Sequence, residues 1–254
     1  MKYHFLKAAV LAGIVIVQPW RAWCQEDAQS IVQAAFEHYR GKASKATVEM
    51  VIHRPDWERS MEMDVWTQGT SDSLIHIIAP PKDRDNGTLK RGRDMWTYNP
   101  KVNRTIKLPP ALMAQSWMGS DFSNNDLSKS DSLINDYVHT LSGTATEEGH
   151  RVYIIKSTPK PMAPVVWGMQ KLRIRDDHVI LSEEFYDEDL VPVKRMTGEQ
   201  IQLLGGRMFP KVWRMQESDK KDQYTLLRYH KLQFLDSLPK DYFTINRLKN
   251  PPME

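Results

Sequence analysis

The sequence predicts a mainly β protein in which one antiparallel sheet is curled into a barrel or half-barrel. Apolar and polar residues alternate with a period of two along most of the chain, most clearly over residues 57–65. Turn signals such as Asn86-Gly87 and Gly205-Gly206 separate these runs at the spacing of short strands. There is no internal repeat or linker, so we expect one domain.

The first 24 residues have the pattern of a secretory signal peptide. Positive charge at Lys2 and Lys7 precedes an apolar run over residues 8–17, and a small-x-small cleavage pattern ends at Cys24. The run of ten residues is shorter than the roughly 20 that a membrane-spanning helix needs. We therefore expect cleavage beside Cys24 and a periplasmic domain of residues 25–254.

The charge and cysteine content exclude several classes of function. The signal segment holds three basic residues and no acid, so the mature chain has 32 basic and 32 acidic residues. Without a net basic charge, nucleic acid is not an expected partner. Cys24 is the only cysteine, so the mature chain has no disulfide, thiol nucleophile or cysteine metal site. Trp23 stands where a lipoprotein signal needs a small residue, which disfavours a lipid anchor on Cys24.

The mature chain is expected to begin with a helix over residues 25–40. Asp27 is placed to cap it and Gly41 to end it. One face carries the apolar residues Ile31, Val32, Ala35, Phe36 and Tyr39. Twelve strand-like runs follow, at residues 47–52, 57–65, 71–78, 95–98, 104–108, 137–144, 151–157, 170–175, 179–186, 191–197, 211–216 and 225–232.

Two longer segments interrupt the strand pattern. Residues 80–93 are a charged stretch around a turn signal, which predicts a loop. Residues 108–133 begin with two prolines, continue through an apolar part over 111–118 that we expect to be helical, and then become polar after Gly119. Insertions of this size in a compact β domain are usually functional loops or lids.

No motif in the chain predicts catalysis, a cofactor or a metal. The eight histidines lack the spacing of a metal-binding pair. Two matches to the SxxK motif, at 157–160 and 237–240, contain a proline and cannot open a helix. The run Asp121, Ser123 and Asn125 lacks the glycine and the final glutamate of a calcium loop. The prediction is a protein that is not an enzyme.

Methionine and tryptophan are unusually prominent, with twelve and six in the mature chain. Such residues fill ordinary cores, but methionine also suits cavities that accept variable apolar shapes. Their clustering in the interrupting segment favours a cavity with a lid. The residues predicted to contact an apolar ligand are Trp57, Met61, Met63, Val65, Trp96, Met113, Trp117, Met118 and Phe122.

Several sequence runs resemble one protein family. They are GTLK at 87–90, DMWTYNP at 94–100, RTIKLP at 104–109, QSWMGSDFSNNDL at 115–127, GGR at 205–207, PKVW at 210–213 and YFT at 242–244. These runs closely resemble the LolA/LolB superfamily of outer-membrane lipoprotein-sorting proteins, in a branch of uncharacterised LolA-like proteins. The resemblance spans essentially the whole mature chain.

The resemblance implies a half-barrel whose helices close the concave side over a cavity for acyl chains. It implies a monomeric periplasmic carrier of a lipid or lipoprotein, with an inner-membrane transporter of the ABC or RND type as partner. Two alternatives are open at this point. One is an accessory transporter subunit whose cavity is filled by its own side chains, and the other is a lipid hydrolase, for which the sequence offers no nucleophile.

Overall fold

The protein folds as one open, curved antiparallel sheet of thirteen strands, as the sequence predicts. This computed structural model describes residues 27–252, so the predicted signal peptide and cleavage site lie outside the described residues. The strands are β1 (Ala43–Arg54), β2 (Trp57–Gln68), β3 (Asp72–Ala79), β4 (Gly87–Arg91), β5 (Asp94–Asn99), β6 (Arg104–Lys107), β7 (Tyr137–Glu147), β8 (His150–Pro159), β9 (Met169–Arg175), β10 (Ile180–Tyr186), β11 (Pro192–Leu204), β12 (Arg207–Glu217) and β13 (Tyr224–Leu235).

The order of the strands explains where the interrupting segment must lie. The sheet runs β6-β5-β4-β3-β2-β1-β13-β12-β11-β10-β9-β8-β7, so the first and last strands pair at its centre and β6 and β7 form its two edges. The chain therefore passes from one edge of the sheet to the other between β6 and β7. We call residues 108–136, which make this connection, the cover segment.

One long helix, α1 (Ala28–Arg40), packs against the concave face. Its apolar stripe is buried as expected, and Gly41 ends it with a φ of 67° and an N–H that donates to the Glu37 carbonyl. Asp27 occupies the N-cap position, but its side chain makes no capping hydrogen bond, so its predicted role is wrong. The other α-helices of the described chain are short: α2 (Asn124–Ser128), α3 (Ser132–Asn135) and α4 (Ile245–Lys249).

Two predictions of local structure are wrong. Residues 80–93 contain β4, which the sequence hides because its inward positions hold the polar residues Thr88 and Lys90. Lys90 is buried because its Nζ donates to Asp131 at 2.9 Å and to the Ser71 carbonyl at 2.8 Å. Residues 111–118 are not a helix, since only a single 3-10 turn forms at Pro110–Leu112. The Met113 N–H donates to the Pro110 carbonyl and the Gln115 N–H to the Leu112 carbonyl, so the chain forms separate i-to-i−3 turns and not an α-helix.

The two faces of the sheet bury different apolar clusters. On the convex side, α4 and the C-terminal segment cover β2 to β5, where Trp66, Leu74 and Leu89 pack against Phe243 and Leu248. The concave side holds the larger clusters beneath α1 and the cover segment. Among the described residues, no helix has the length and apolar character needed to cross a membrane.

Candidate functional site

A cavity of about 300 Å³ lies between the concave face of the sheet, α1 and the cover segment. Its wall on β1 to β3 is mainly apolar and includes Ala46, Val48, Met63, Val65 and Ile75, with Ser44, Thr67 and Ser73 forming a polar row across the three strands. These positions alternate along each strand with residues on the other face of the sheet, so the period of two that predicts the strands also builds this wall.

The opposite wall, on β9 to β12, mixes aromatic and polar side chains. Phe185, Trp213 and Met215 supply apolar surface, whereas Gln170 and Glu183 bring polar groups to the cavity. The cavity is therefore apolar on one side and carries hydrogen-bonding groups on the other.

The roof of the cavity is a tight loop formed by the QSWMGSDF sequence. The Trp117 N–H donates to the Phe122 carbonyl at 2.7 Å, and the chain reverses through Met118 and Gly119 with φ values of 54° and 79°. This reversal needs residues with positive φ, which glycine adopts without strain. It directs Trp117 and Phe122 into the cavity, and Trp117 Nε1 donates to Thr88 Oγ1 at 3.0 Å.

Four aspartates spaced five residues apart fasten the cover segment to the sheet. Each is paired with a base from β1, β4, β11 or the turn after β4. The pairs are Asp121–Arg54 at 3.1 Å, Asp126–Lys194, Asp131–Lys90 at 2.9 Å and Asp136–Arg93 at 3.2 Å. The pairs hold the segment at both halves of the sheet, so the roof is positioned by charge as well as by apolar contact.

Asp121 is the most enclosed of these aspartates, with a side chain 3% exposed. It accepts hydrogen bonds from both terminal nitrogens of Arg54 and from the Thr225 hydroxyl at 2.6 Å. These bonds use the Asp121 carboxylate within the fold. Asp187, another acid of the chain, accepts from the Val191 N–H in a turn.

Glu183 is the most perturbed acid at the cavity. The side chain is half-buried and faces the cavity, where the surrounding protein shields it from bulk water. Burial raises the pKa of its carboxyl to about 7, and the negative charge of Asp126 adds to this, while Lys194 opposes it. Near neutral pH this carboxyl therefore exchanges between an acceptor and a donor of hydrogen bonds.

The end of α1 contributes two fixed polar groups to the cavity. Tyr39 lies 3.4 Å from Tyr229, measured between the hydroxyl oxygens, and burial raises the pKa of both phenols. Arg40 donates to the carbonyls of Gly69 at 2.5 Å and Asp72 at 2.7 Å. These bonds tie the helix to the turn after β2 and leave the cavity with a preformed wall.

The structure brings some of the predicted contact residues together and separates others. Met63, Val65, Trp117 and Phe122 line the cavity. Met61, Met113 and Met118 pack in the apolar cluster behind this lining. Trp57 is 51% exposed at the start of β2, and Trp96 packs on the convex side, so both lie outside the cavity.

Sequence reasoning missed the polar wall of the cavity. Glu183 lies two residues before Phe185 and shares its inward face, so an acid at an inward position of a predicted strand was a usable signal. The regular spacing of the aspartates in the cover segment was a second usable signal, since it marks the ion pairs that hold the roof.

One surface group has the residue types of a metal site: His150, Asp176 and Asp177. His150 Nδ1 lies 2.8 Å from Asp176, and Arg175 binds Asp177 with two nitrogens. These interactions already use the carboxylates, and the hydrogen bond from His150 is the main cause that lowers the pKa of Asp176. The cluster is explained as a turn held by its own charges.

Comparison with solved structures shows the same fold in three proteins. A DUF1329 family protein from Desulfovibrio piger matches with a TM-score of 0.76 and 21% identity over 87% of this chain and 99% of its own. A putative outer membrane lipoprotein-sorting protein domain from Vibrio parahaemolyticus has a TM-score of 0.76, 20% identity and coverage of 87% and 98%. A LolA superfamily protein from Nitrosomonas europaea has a TM-score of 0.72, 23% identity and the same coverage.

These likenesses confirm the LolA-like fold that the sequence runs predict. The model of a protein family described as an uncharacterized protein matches residues 69–250, which is more than half of the chain. The chain therefore belongs to this family. No curated protein matches the sequence.

Proposed function

We propose that the protein is a periplasmic carrier that shields the acyl chain of a lipid or lipoprotein while it crosses water between two membranes. The observation that carries this proposal is the preformed cavity, walled on one side by apolar side chains and roofed by Trp117 and Phe122. An ordinary core would fill this space, since protein interiors pack at the density of organic crystals.

Burial of the acyl chain alone can supply the binding free energy, so no covalent bond to the ligand is needed. Burying each methylene contributes roughly 0.8 kcal/mol, so ten methylenes contribute about 8 kcal/mol before the costs of binding. The cavity is at the small end of ligand pockets, which span about 300 to 1,000 Å³. A long chain therefore requires the cover segment to move outward.

The residues proposed to touch the acyl chain are Met63, Val65, Trp117 and Phe122. Met61, Met113 and Met118 support this lining from behind, and their flexible side chains let it adapt to different chains. Trp57 and Trp96, which the sequence also suggested, have no place in the cavity and are not part of the proposed site.

The proposed setting rests on the expected signal peptide and on the similarity of the fold to the putative outer membrane lipoprotein-sorting protein domain from Vibrio parahaemolyticus. An inner-membrane transporter of the ABC or RND type is the proposed donor of the cargo. Because tight binding alone would trap the lipid, release requires a partner that displaces the cover segment.

Quenching of tryptophan fluorescence by a brominated fatty acid tests the proposal. Trp117 lines the cavity, so bromine atoms on a bound chain should quench it on contact. Saturable quenching is expected in the mature protein, and the component that comes from Trp117 should be absent in Trp117→Phe.

Trp96→Phe is the matched control, because it removes a tryptophan outside the cavity and should leave that component in place. No saturable quenching, or quenching that Trp117→Phe does not alter, would contradict binding under the cover segment.

A further inference from the structure

Three buried polar atoms on the cavity lining have no hydrogen-bond partner within the part of the chain that the structure describes. They are Asp126 Oδ1, Gln170 Oε1 and Trp213 Nε1. Leaving a buried polar atom unpaired costs free energy, so native structures rarely do so without a reason. Gln170 is 4% exposed, which makes a partner from bulk solvent implausible.

The strand register places these groups close to Glu183. On β9 and β10, Gln170 lies opposite Phe185, and Glu183 is the next inward residue along β10. On β11, Lys194 lies opposite Phe185 on its other side. Gln170 and Lys194 are thus diagonal neighbours of Glu183, within reach of long side chains.

The positive charge of Lys194 is already committed. Its Nζ binds Asp126 and lies 5.0 Å from the ring centre of Trp167 and 5.6 Å from that of Phe185. Around Glu183, the polar groups that remain without a hydrogen-bond partner among the described residues are therefore mainly acceptors. They are one oxygen of Asp126, the amide oxygen of Gln170 and the Glu183 carboxyl. Acceptors call for a ligand that donates hydrogen bonds, and the nearby acids repel a negative head group.

We propose, on the basis of the carrier function above, that the Gln170–Glu183–Asp126 end of the cavity is a subsite for an uncharged, hydroxyl-bearing head group. The acyl chain of such a ligand lies along the apolar wall on β1 to β3, and its hydroxyls donate to the Glu183 and Gln170 oxygens. A monoacylglycerol has this chemistry, whereas a fatty-acid anion and a methyl ester lack it.

Calorimetric titration of the delipidated mature protein tests the subsite with three ligands of equal chain length: monodecanoylglycerol, methyl decanoate and decanoate. At pH 8 monodecanoylglycerol should bind about tenfold more tightly than either of the others, the effect of one or two hydrogen bonds to a charged acceptor. Glu183→Leu should abolish this preference, and it should also strengthen binding of decanoate by removing a negative charge.

A second variant, Gln170→Leu, should reduce the preference in the same direction. The matched control is Glu184→Leu, because Glu184 faces the other side of the sheet beside Arg195 and Lys171. If the three ligands bind equally, or decanoate binds best, the subsite is refuted while the carrier function stands. If none of them binds, the carrier function is refuted together with the subsite.

Discussion

The two walls of the cavity differ in what they require of the sequence. The wall on β1 to β3 consists mainly of apolar side chains at alternate positions, such as Met63 and Val65. The wall on β9 to β12 places Gln170, Glu183 and Lys194 among aromatic rings. In the proposed carrier, the first wall would contact the acyl chain and the second would orient the polar end of the ligand.

Disrupting the apolar wall should have the largest effect. Met63 is 2% exposed, and no base on this wall would neutralise an acid placed there. Met63→Glu should therefore destabilise the fold by about 3–5 kcal/mol or abolish lipid retention. Thermal unfolding measures the loss of stability and lipid analysis measures retention. Met63→Leu is the control and should change the stability little. An unchanged melting temperature with full retention would show that the face is assigned wrongly.

Loosening the roof should have the next largest effect. Asp121→Asn keeps the shape of the side chain but leaves Arg54, 15% exposed, without its carboxylate. We expect a loss of about 2–3 kcal/mol in the free energy of unfolding. Denaturant titration measures this loss.

The matched control is Asp136→Asn in the same segment. Its partner Arg93 is 66% exposed, so the loss should be below about 1 kcal/mol. Equal losses for the two variants would mean that the roof is held by apolar packing and not by the buried ion pair.

The polar wall should make the free energy of unfolding depend on pH. The Glu183 carboxyl loses its proton near pH 4.5 when unfolded and near 7 when folded, so its burial lowers stability as pH rises between these values. Glu183→Gln removes this cost. The variant should be about 1–2 kcal/mol more stable than the parent at pH 8 and nearly equal to it at pH 4.5, allowing for partial access from the cavity.

Denaturation midpoints at both pH values test this, and Glu184→Gln on the opposite face is the control. The Glu183 carboxyl also interacts electrostatically with four neighbouring side chains, those of Asp126, Lys194, Tyr39 and Tyr137. A variant that is less stable than the parent at pH 8 would show that Glu183 contributes a favourable interaction there.

The sequence predicted most of the fold because the alternation of apolar and polar residues is a local signal. It failed at β4, where Thr88 and Lys90 occupy inward positions and are satisfied by Trp117 and Asp131 from the distant cover segment. Pairing of this kind depends on the folded topology and leaves no local pattern. The sequence therefore predicted the other twelve strands but not β4, whose inward positions are polar.

The same reason explains which of the predicted contact residues line the cavity and which do not. The QSWMGSDF run was informative, and its Trp117 and Phe122 do line the cavity. Its Gly119, Ser120 and Asp121 serve the loop itself, through positive φ, hydrogen bonds within the turn and the bond to Arg54. Trp57 was predicted to face the cavity because it shares the alternation of Met61 and Met63 along the strand. That alternation does not report how far the cover segment extends, and Trp57 at the start of β2 is exposed, while Trp96 packs on the convex side.

Native mass spectrometry of the protein, purified without detergent, tests the central claim most directly. If the cavity is a carrier site, a fraction of the protein should carry a noncovalent lipid mass, and Met63→Glu should lose it. A single mass equal to the polypeptide, from protein that also fails to take up added lipid, would contradict the account. It would favour an accessory subunit whose cavity holds no cargo.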